Sequence, residues 1–167
     1  LRFEAVASAV GSIEARLAYH LRAAHLPLRL HEGVEVLTGA PDAALASVAH
    51  WLHAQGLGGK WRDELLPVTD EHGTLQAVVE RAAVRPLGIA THAVHLIGFT
   101  AQGEVWVQRR ALDKATDPGQ WDTLMGGLVA ANESCAGALE RATWEEAGLR
   151  IADLHALLPA DRLTLRP

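Results

Sequence analysis

The stretch that most constrains this chain runs from Gly126 to Leu149, G-G-L-V-A-A-N-E-S-C-A-G-A-L-E-R-A-T-W-E-E-A-G-L. It reads as an apolar strand ending in a glycine pair, a short turn, then a helix. Asn132, Glu133 and Ser134 supply the polar start and Gly148 the stop. Helical spacing puts Ala136, Leu139, Thr143 and Ala147 on one face, expected to pack inward. Position 142 with Glu145 and Glu146 forms an i, i+3, i+4 set on another face. Arg141 sits one turn before Glu145 and can hold that carboxylate. Adjacent carboxylates of this kind suit a hard divalent cation, which takes oxygen ligands. A lone glutamate pair reads more simply as a solvated helix face. The fixed spacing of the glycines, Glu133, Arg141, both glutamates and Gly148 is what points beyond that.

That spacing resembles the Nudix box, G-x5-E-x7-R-E-U-x-E-E-x-G-U with U a bulky aliphatic. Gly127, Glu133, Arg141, Glu145, Glu146, Gly148 and Leu149 fall in register. Two positions depart from it: Ala142 stands where the family has Glu, and Thr143 where it has an aliphatic. The resemblance implies an α/β/α sandwich around a mixed sheet and a hydrolase that cleaves a diphosphate. It implies Mg²⁺ or Mn²⁺ held by Glu145 and Glu146 with Glu133 in support, and Arg141 beside them. Ala142 replaces a residue that family members commonly use as base or ligand, so impaired turnover is expected.

With 167 residues, the chain can bury a real core as one large domain or two small ones. It is 49% hydrophobic, 21% charged and formally −5, a balance that offers a nucleic-acid backbone no basic partner. No run approaches a membrane span, and the single cysteine, Cys135, fits a reducing cytoplasm. The chain opens on Leu1 and stops at Pro167, soon after the box. Nudix folds continue with further strands and a helix, so part of the fold is expected to be missing at the C-terminus.

Residues 1 to about 58 read as a small helical α/β domain. Ser12 to Ala24 carries Ile13, Leu17 and Leu21 at helical period, and Pro27 ends it. His31 to Leu37 reads as a short strand. Pro41 starts a second helix through Leu45, Val48, Ala49 and Leu52 that closes at Gly56. His50, Trp51 and His53 cluster there without a third metal ligand nearby. Gly56 to Gly59 marks a boundary, and residues 59 to 167 form the second domain. Trp61 to Val68 and Thr74 to Glu80 read as strands joined at His72-Gly73. Thr91 to Thr100 reads as a central strand buried on both faces. Gln102-Gly103 turns into Glu104 to Arg110.

The run W-R-D-E-L-L-P-V, with the later L-G-I-A-T-H-A-V-H-L-I-G-F and W-V-Q-R-R-A-L-D-K-A-T-D-P-G-Q-W-D, resembles a narrower subgroup. It comprises Nudix domains fused to, or found beside, thiamine pyrophosphokinase. This implies hydrolysis of thiamine diphosphate or its oxidised analogues to the monophosphates; a nucleoside-diphosphate derivative is the alternative substrate. A binding module that has lost catalysis is the alternative of another class. Arg109, Arg110 and Lys114, with Gly127, are the candidate substrate-binding residues, and strand alternation lets only one of the two arginines face the site. The expected partner is a small diphosphate, with room for a homodimer and no nucleic acid or membrane. Trp106 and Trp121 read first as packing aromatics. The Q-R-R…D-P-G-Q-W run also resembles isopentenyl diphosphate isomerase, but Leu124-Met125-Gly126-Gly127 stands where that enzyme carries its catalytic cysteine.

Overall fold

The structure is a computed structural model that describes residues 1–114 and 116–164. It divides into two compact units, Leu1–Ala93 with Leu128–Ser134, and Val94–Gly127 with the chain from Cys135 onward. Among the described residues, no helix is long and apolar enough to cross a membrane.

In the first unit, strands β1 (Arg2–Phe3), β2 (Leu28–His31) and β3 (Val34–Leu37) form a sheet ordered β1-β3-β2. The β2–β3 hairpin turns on Glu32 and Gly33, both at positive φ (50° and 78°). That is the twist a two-residue hairpin needs, and glycine takes its second position without strain. Helix α1 (Ala15–Ala23) buries Ala18 and Leu21. It begins three residues after Ser12, with Glu14 at the cap position, and the Ser12 N–H donates to Gly88 O at 3.3 Å. Helix α2 (Pro41–Ala54) follows the expected register and buries Leu45, Val48, Ala49 and Leu52. Fully burying each large aliphatic among them stabilises by about 1.5–3 kcal/mol.

Strands β4 (Leu65–Thr69) and β5 (Leu75–Glu80) form the next hairpin, followed by the short helix α3 (Arg81–Val84). Asp70 builds the turn between the strands. Its Oδ1 accepts from the His72 and Thr74 N–H groups at 2.9 Å each, and Gly73 takes φ 81°. These bonds, Thr74 foremost, hold the Asp70 carboxyl below its ordinary range despite the opposing effect of desolvation.

Trp61 to Glu64, expected as strand, is instead an irregular approach segment. It is tied down by the buried Glu80 carboxylate, which accepts from Arg62 N at 2.9 Å and Glu64 N at 3.1 Å. One apolar core runs through this unit, from Phe3, Leu21, Leu45 and Leu52 to Val68, Val79 and Leu87. Gly56 to Gly59 therefore lies inside the unit. Gly59 N donates to Ala82 O at 2.8 Å, and a side chain on Gly58 would meet that same carbonyl at 3.2 Å.

The second unit contains β6 (Ala93–Leu96) and β10 (Met125–Leu128) apart from Ala93 and Leu128, with β7 (Gly98–Phe99), β8 (Val105–Arg109), β9 (Trp121–Thr123) and helix α4 (Cys135–Ala147). A 3-10 turn at Ile151–Asp153 follows. The expected central strand over Thr91 to Thr100 is broken. β6 pairs with β10, whereas β7 joins β8 and β9 in a separate three-stranded sheet. The strand changes partner at Ile97, so Leu96 is buried while Ile97 and Phe99 are 52% and 65% exposed. The architecture is thus mixed α+β, and among the described residues the strands form four small sheets. A compact cluster of Leu96, Met125 and Ala142, edged by Leu124, Leu139 and Leu154, anchors α4. By contrast, Val105, Trp106 and Val107 on β8 are each at least half exposed, on both sides of the strand.

Candidate functional site

Helix α4 packs on a face that shares Leu139 and Thr143 with the one its sequence suggests but is rotated toward position 142. Its buried residues are Ala138, Ala142 and Thr143; Ala136 is exposed and Leu139 and Ala147 are half-buried. Position 142 is therefore part of the packed face, at 2% exposure. The reason lies in β10, where Gly127 presents no side chain. A Cβ built there would stand 2.6 Å from the Ala142 Cβ, with no other atom as near. Two small residues thus let α4 settle against the strand, and Thr143 completes that face by donating its hydroxyl to Leu139 O at 2.6 Å.

One turn further on, the two glutamates emerge from this contact. Glu146 turns toward the strands. Its Oε2 lies 3.4 Å from Gly126 N and 3.4 Å from the Gln108 amide nitrogen, both long and weak as hydrogen bonds. Glu145 is 57% exposed and accepts from Arg141 Nη1 at 3.1 Å, as the i, i+4 spacing predicts. Gln108, absent from the sequence-derived site, is thus beside Glu146. Strand alternation could have found it, because Trp106, Gln108 and Arg110 share one parity and Arg109 the other.

Arg110 is engaged in holding its own loop. Its guanidinium donates to Asp122 Oδ2 at 2.9 Å, to Thr116 O at 2.8 Å and to Asp117 O at 3.2 Å. Asp122 responds accordingly. Burial pushes its carboxyl upward, but the Arg110 hydrogen bond and charge, the Thr123 N–H and nearby His95 together hold it below the ordinary range. Arg109 donates to Gly119 O at 3.0 Å and is exposed, as is Lys114. His95 bonds the Thr123 hydroxyl at 3.1 Å, and its ring lies against Gly126, where a Cβ would meet it at 2.9 Å. Both glycines of the pair are therefore close-approach positions, one toward a ring and one toward a helix.

Glu133 belongs to the first unit, where its carboxylate accepts from Ala130 N at 3.4 Å and its own N–H donates to Ala130 O at 3.1 Å. Among the described residues, no three His, Cys, Asp or Glu side chains gather as a metal cluster. Trp106 and Trp121, read from sequence as packing aromatics, are 56% and 72% exposed. Cys135 is exposed at the first position of α4.

Residues 90–164 match the model of the NUDIX domain. An uncharacterized Nudix hydrolase of Pseudomonas aeruginosa is 38% identical over 55% of this chain and 54% of its own length. Nudix hydrolase 20, chloroplastic, of Arabidopsis thaliana is 34% identical over 64% of this chain and 29% of its own. An isopentenyl-diphosphate Delta-isomerase of Clavibacter michiganensis is 33% identical over 58% and 50%. The chain thus spans about half the length, or less, of the curated relatives it matches. Residues 90–164 are thus similar to the NUDIX domain, and two of these relatives are named as Nudix hydrolases.

Proposed function

We propose that this protein is a metal-dependent diphosphate hydrolase, and that its substrate is thiamine diphosphate or an oxidised analogue, released as the monophosphate. The observation that carries the hydrolase reading is the placement of Glu145 and Glu146 at the end of α4. Arg141 holds one, and the other turns toward Gly126 and Gln108. The substrate follows from the resemblance of the Trp61 to Asp122 segments to the thiamine-related subgroup.

The donor set fits Mg²⁺ or Mn²⁺. Magnesium is commonly held by one or two carboxylates and completes its shell with water and substrate phosphate oxygens, so two glutamates suffice. Glu145 and Glu146 would hold the ion; Glu133 enters through the register of the motif. When bound, such an ion neutralises phosphate charge and acidifies a coordinated water. The chain's own residues do the remaining work. Arg141 holds Glu145, while Gln108 and the Gly126 N–H lie beside Glu146. The exposed cations Arg109 and Lys114 are available to the phosphates, whereas Arg110 shapes the loop that carries Lys114.

The isomerase relatives share the diphosphate with this reading and not the chemistry, since Leu124 to Gly127 offers no thiol. A second reading, a Nudix module that binds diphosphates without turnover, draws on Ala142, where a methyl group packs on Gly127 in place of a carboxylate. Phosphate release in Mg²⁺ across thiamine diphosphate, oxythiamine diphosphate, ADP and ADP-ribose, the last read as AMP, tests both. Faster turnover of the thiamine compounds supports the proposal, and equal or better turnover of the nucleotides replaces the substrate. Binding without turnover throughout establishes the second reading.

A further inference from the structure

We propose that the first unit carries a separate binding site for a flat organic cation, in the cleft between Trp61, helix α2 and strand β5. The cleft measures about 350 Å³, within the lower range of small-ligand pockets, and no residue of α4 lines it. Its wall is an aromatic stack. The His50 ring lies over the Trp61 indole with centroids 4.8 Å apart and planes 22° from parallel, and the His53 ring follows at 5.1 Å. The indole is held in place by its own N–H, which donates to Asp63 Oδ1 at 2.7 Å. These contacts also explain the histidine pair on α2, whose rings are turned to the indole rather than to a shared metal position.

The charge of the lining selects the ligand. Asp42, Asp63 and Glu80 border the cleft, and no lysine or arginine is among the lining residues. Glu80 is used by the backbone through both oxygens, but among the described residues the bonds to Asp42 and Asp63 take only Oδ1, from Val78 N and the indole. Each aspartate therefore keeps Oδ2 as an acceptor for a cationic donor. A diphosphate would be repelled here, so this site takes a ligand of opposite charge to the one proposed for the Nudix domain. A flat cation gains from the aromatic His50 and Trp61 rings of the lining and from the carboxylates together. N-alkylated heteroaromatics and aryl ammonium compounds have that shape and charge.

The test uses three nearly isosteric probes: 1-methylnicotinamide as cation, nicotinamide as neutral and nicotinate as anion. The Trp61 indole N–H resonance, assigned with Trp61→Phe, is followed on titration of the full chain. The cation should bind at least about tenfold more tightly than the neutral amide, the upper range of a desolvated cation–π contact, and nicotinate should leave the resonance unmoved. The pair Asp42→Asn and Asp63→Asn, which keeps hydrogen-bond acceptors while removing both charges, should reduce that preference to less than about threefold. Trp61→Leu should abolish binding; because Trp61 also packs on the core, the aspartate pair keeps the test independent of whether that variant folds. Equal affinity for cation and neutral amide overturns the proposal. So does an unmoved Trp61 resonance with the cation, or a preference that survives the aspartate substitutions.

Discussion

Gly127→Ala should strain the seat of α4, and the geometry sets the size of the effect. The added methyl would stand 2.6 Å from the Ala142 Cβ, about 1 Å inside the ordinary carbon–carbon contact of ~3.5–4.0 Å. Ala142 is buried with Leu96 and Met125, so the helix cannot move off without opening that cluster. Overpacking of this kind costs about 1–3 kcal/mol. The partner substitution decides whether this contact is responsible. In the wild-type background Ala142→Gly should destabilise α4 by about 1 kcal/mol, through helix propensity. In the Gly127→Ala background it removes the facing methyl, so the cost should vanish or reverse, a coupling of at least about 1 kcal/mol. Hydrogen exchange at the α4 amides across the four proteins reads this locally, without requiring both units to unfold together. A Gly127→Ala effect below about 0.5 kcal/mol, or the same Ala142→Gly cost in both backgrounds, would refute the reasoning.

Three further outcomes follow from the same geometry. Glu146→Gln and Glu145→Gln should each weaken Mn²⁺ binding at least about tenfold with the fold intact by circular dichroism; unchanged affinity in both removes them as ligands. Ala142→Glu should raise kcat in Mg²⁺ at least about tenfold, the conservative end for a restored general base, while lowering the melting temperature because the carboxylate enters a buried position; an unchanged rate places the base elsewhere. Arg110→Ala should speed proteolysis between Ala111 and Gly119. It should also flatten the acid limb of stability: the folded Asp122 pKa lies below its unfolded value, so its contribution is present above the unfolded pKa and lost as pH falls through the folded one. An acid limb as steep in the variant as in wild type would show that Arg110 does not hold Asp122 down.

What was legible in the sequence was local. The turn at His72-Gly73, the helix opening at Pro41 and the hold of Arg141 on Glu145 all depend on residues a few positions apart, and the structure shows each. The inward face of α4 is only partly legible, with Thr143 and Leu139 on it but Ala142 not expected. Alanines stand on opposite sides of the helix, at 136 and 147 and at 138 and 142, leaving no apolar stripe strong enough to set the phase. Only Gly127, on another element, chooses Ala142 as the packed position. The break at Ile97 is hidden for a similar reason: Ala93 to Phe99 carries apolar residues at both parities, and a change of strand partner is a tertiary event. Gln108 and Arg110 were separated by geometry that a linear pattern does not hold. One faces a helix glutamate across the sheet, and the other is consumed by carbonyls of the loop it precedes.

The exposure of β8 also bears on how this chain behaves at high concentration. Val105, Trp106 and Val107 form a short, uncharged, β-prone run with an unburied side chain on either side of the strand. Runs of this composition nucleate strand-to-strand association between molecules whenever their pairing loosens. Glu104 stands immediately before the run, and Gln108, Arg109 and Arg110 close it. Flanking charges of this kind act as gatekeepers against growth of such assemblies. The two arginines thus acquire a second duty, as a colloidal brake whose strength fades as added salt shortens the reach of their charge.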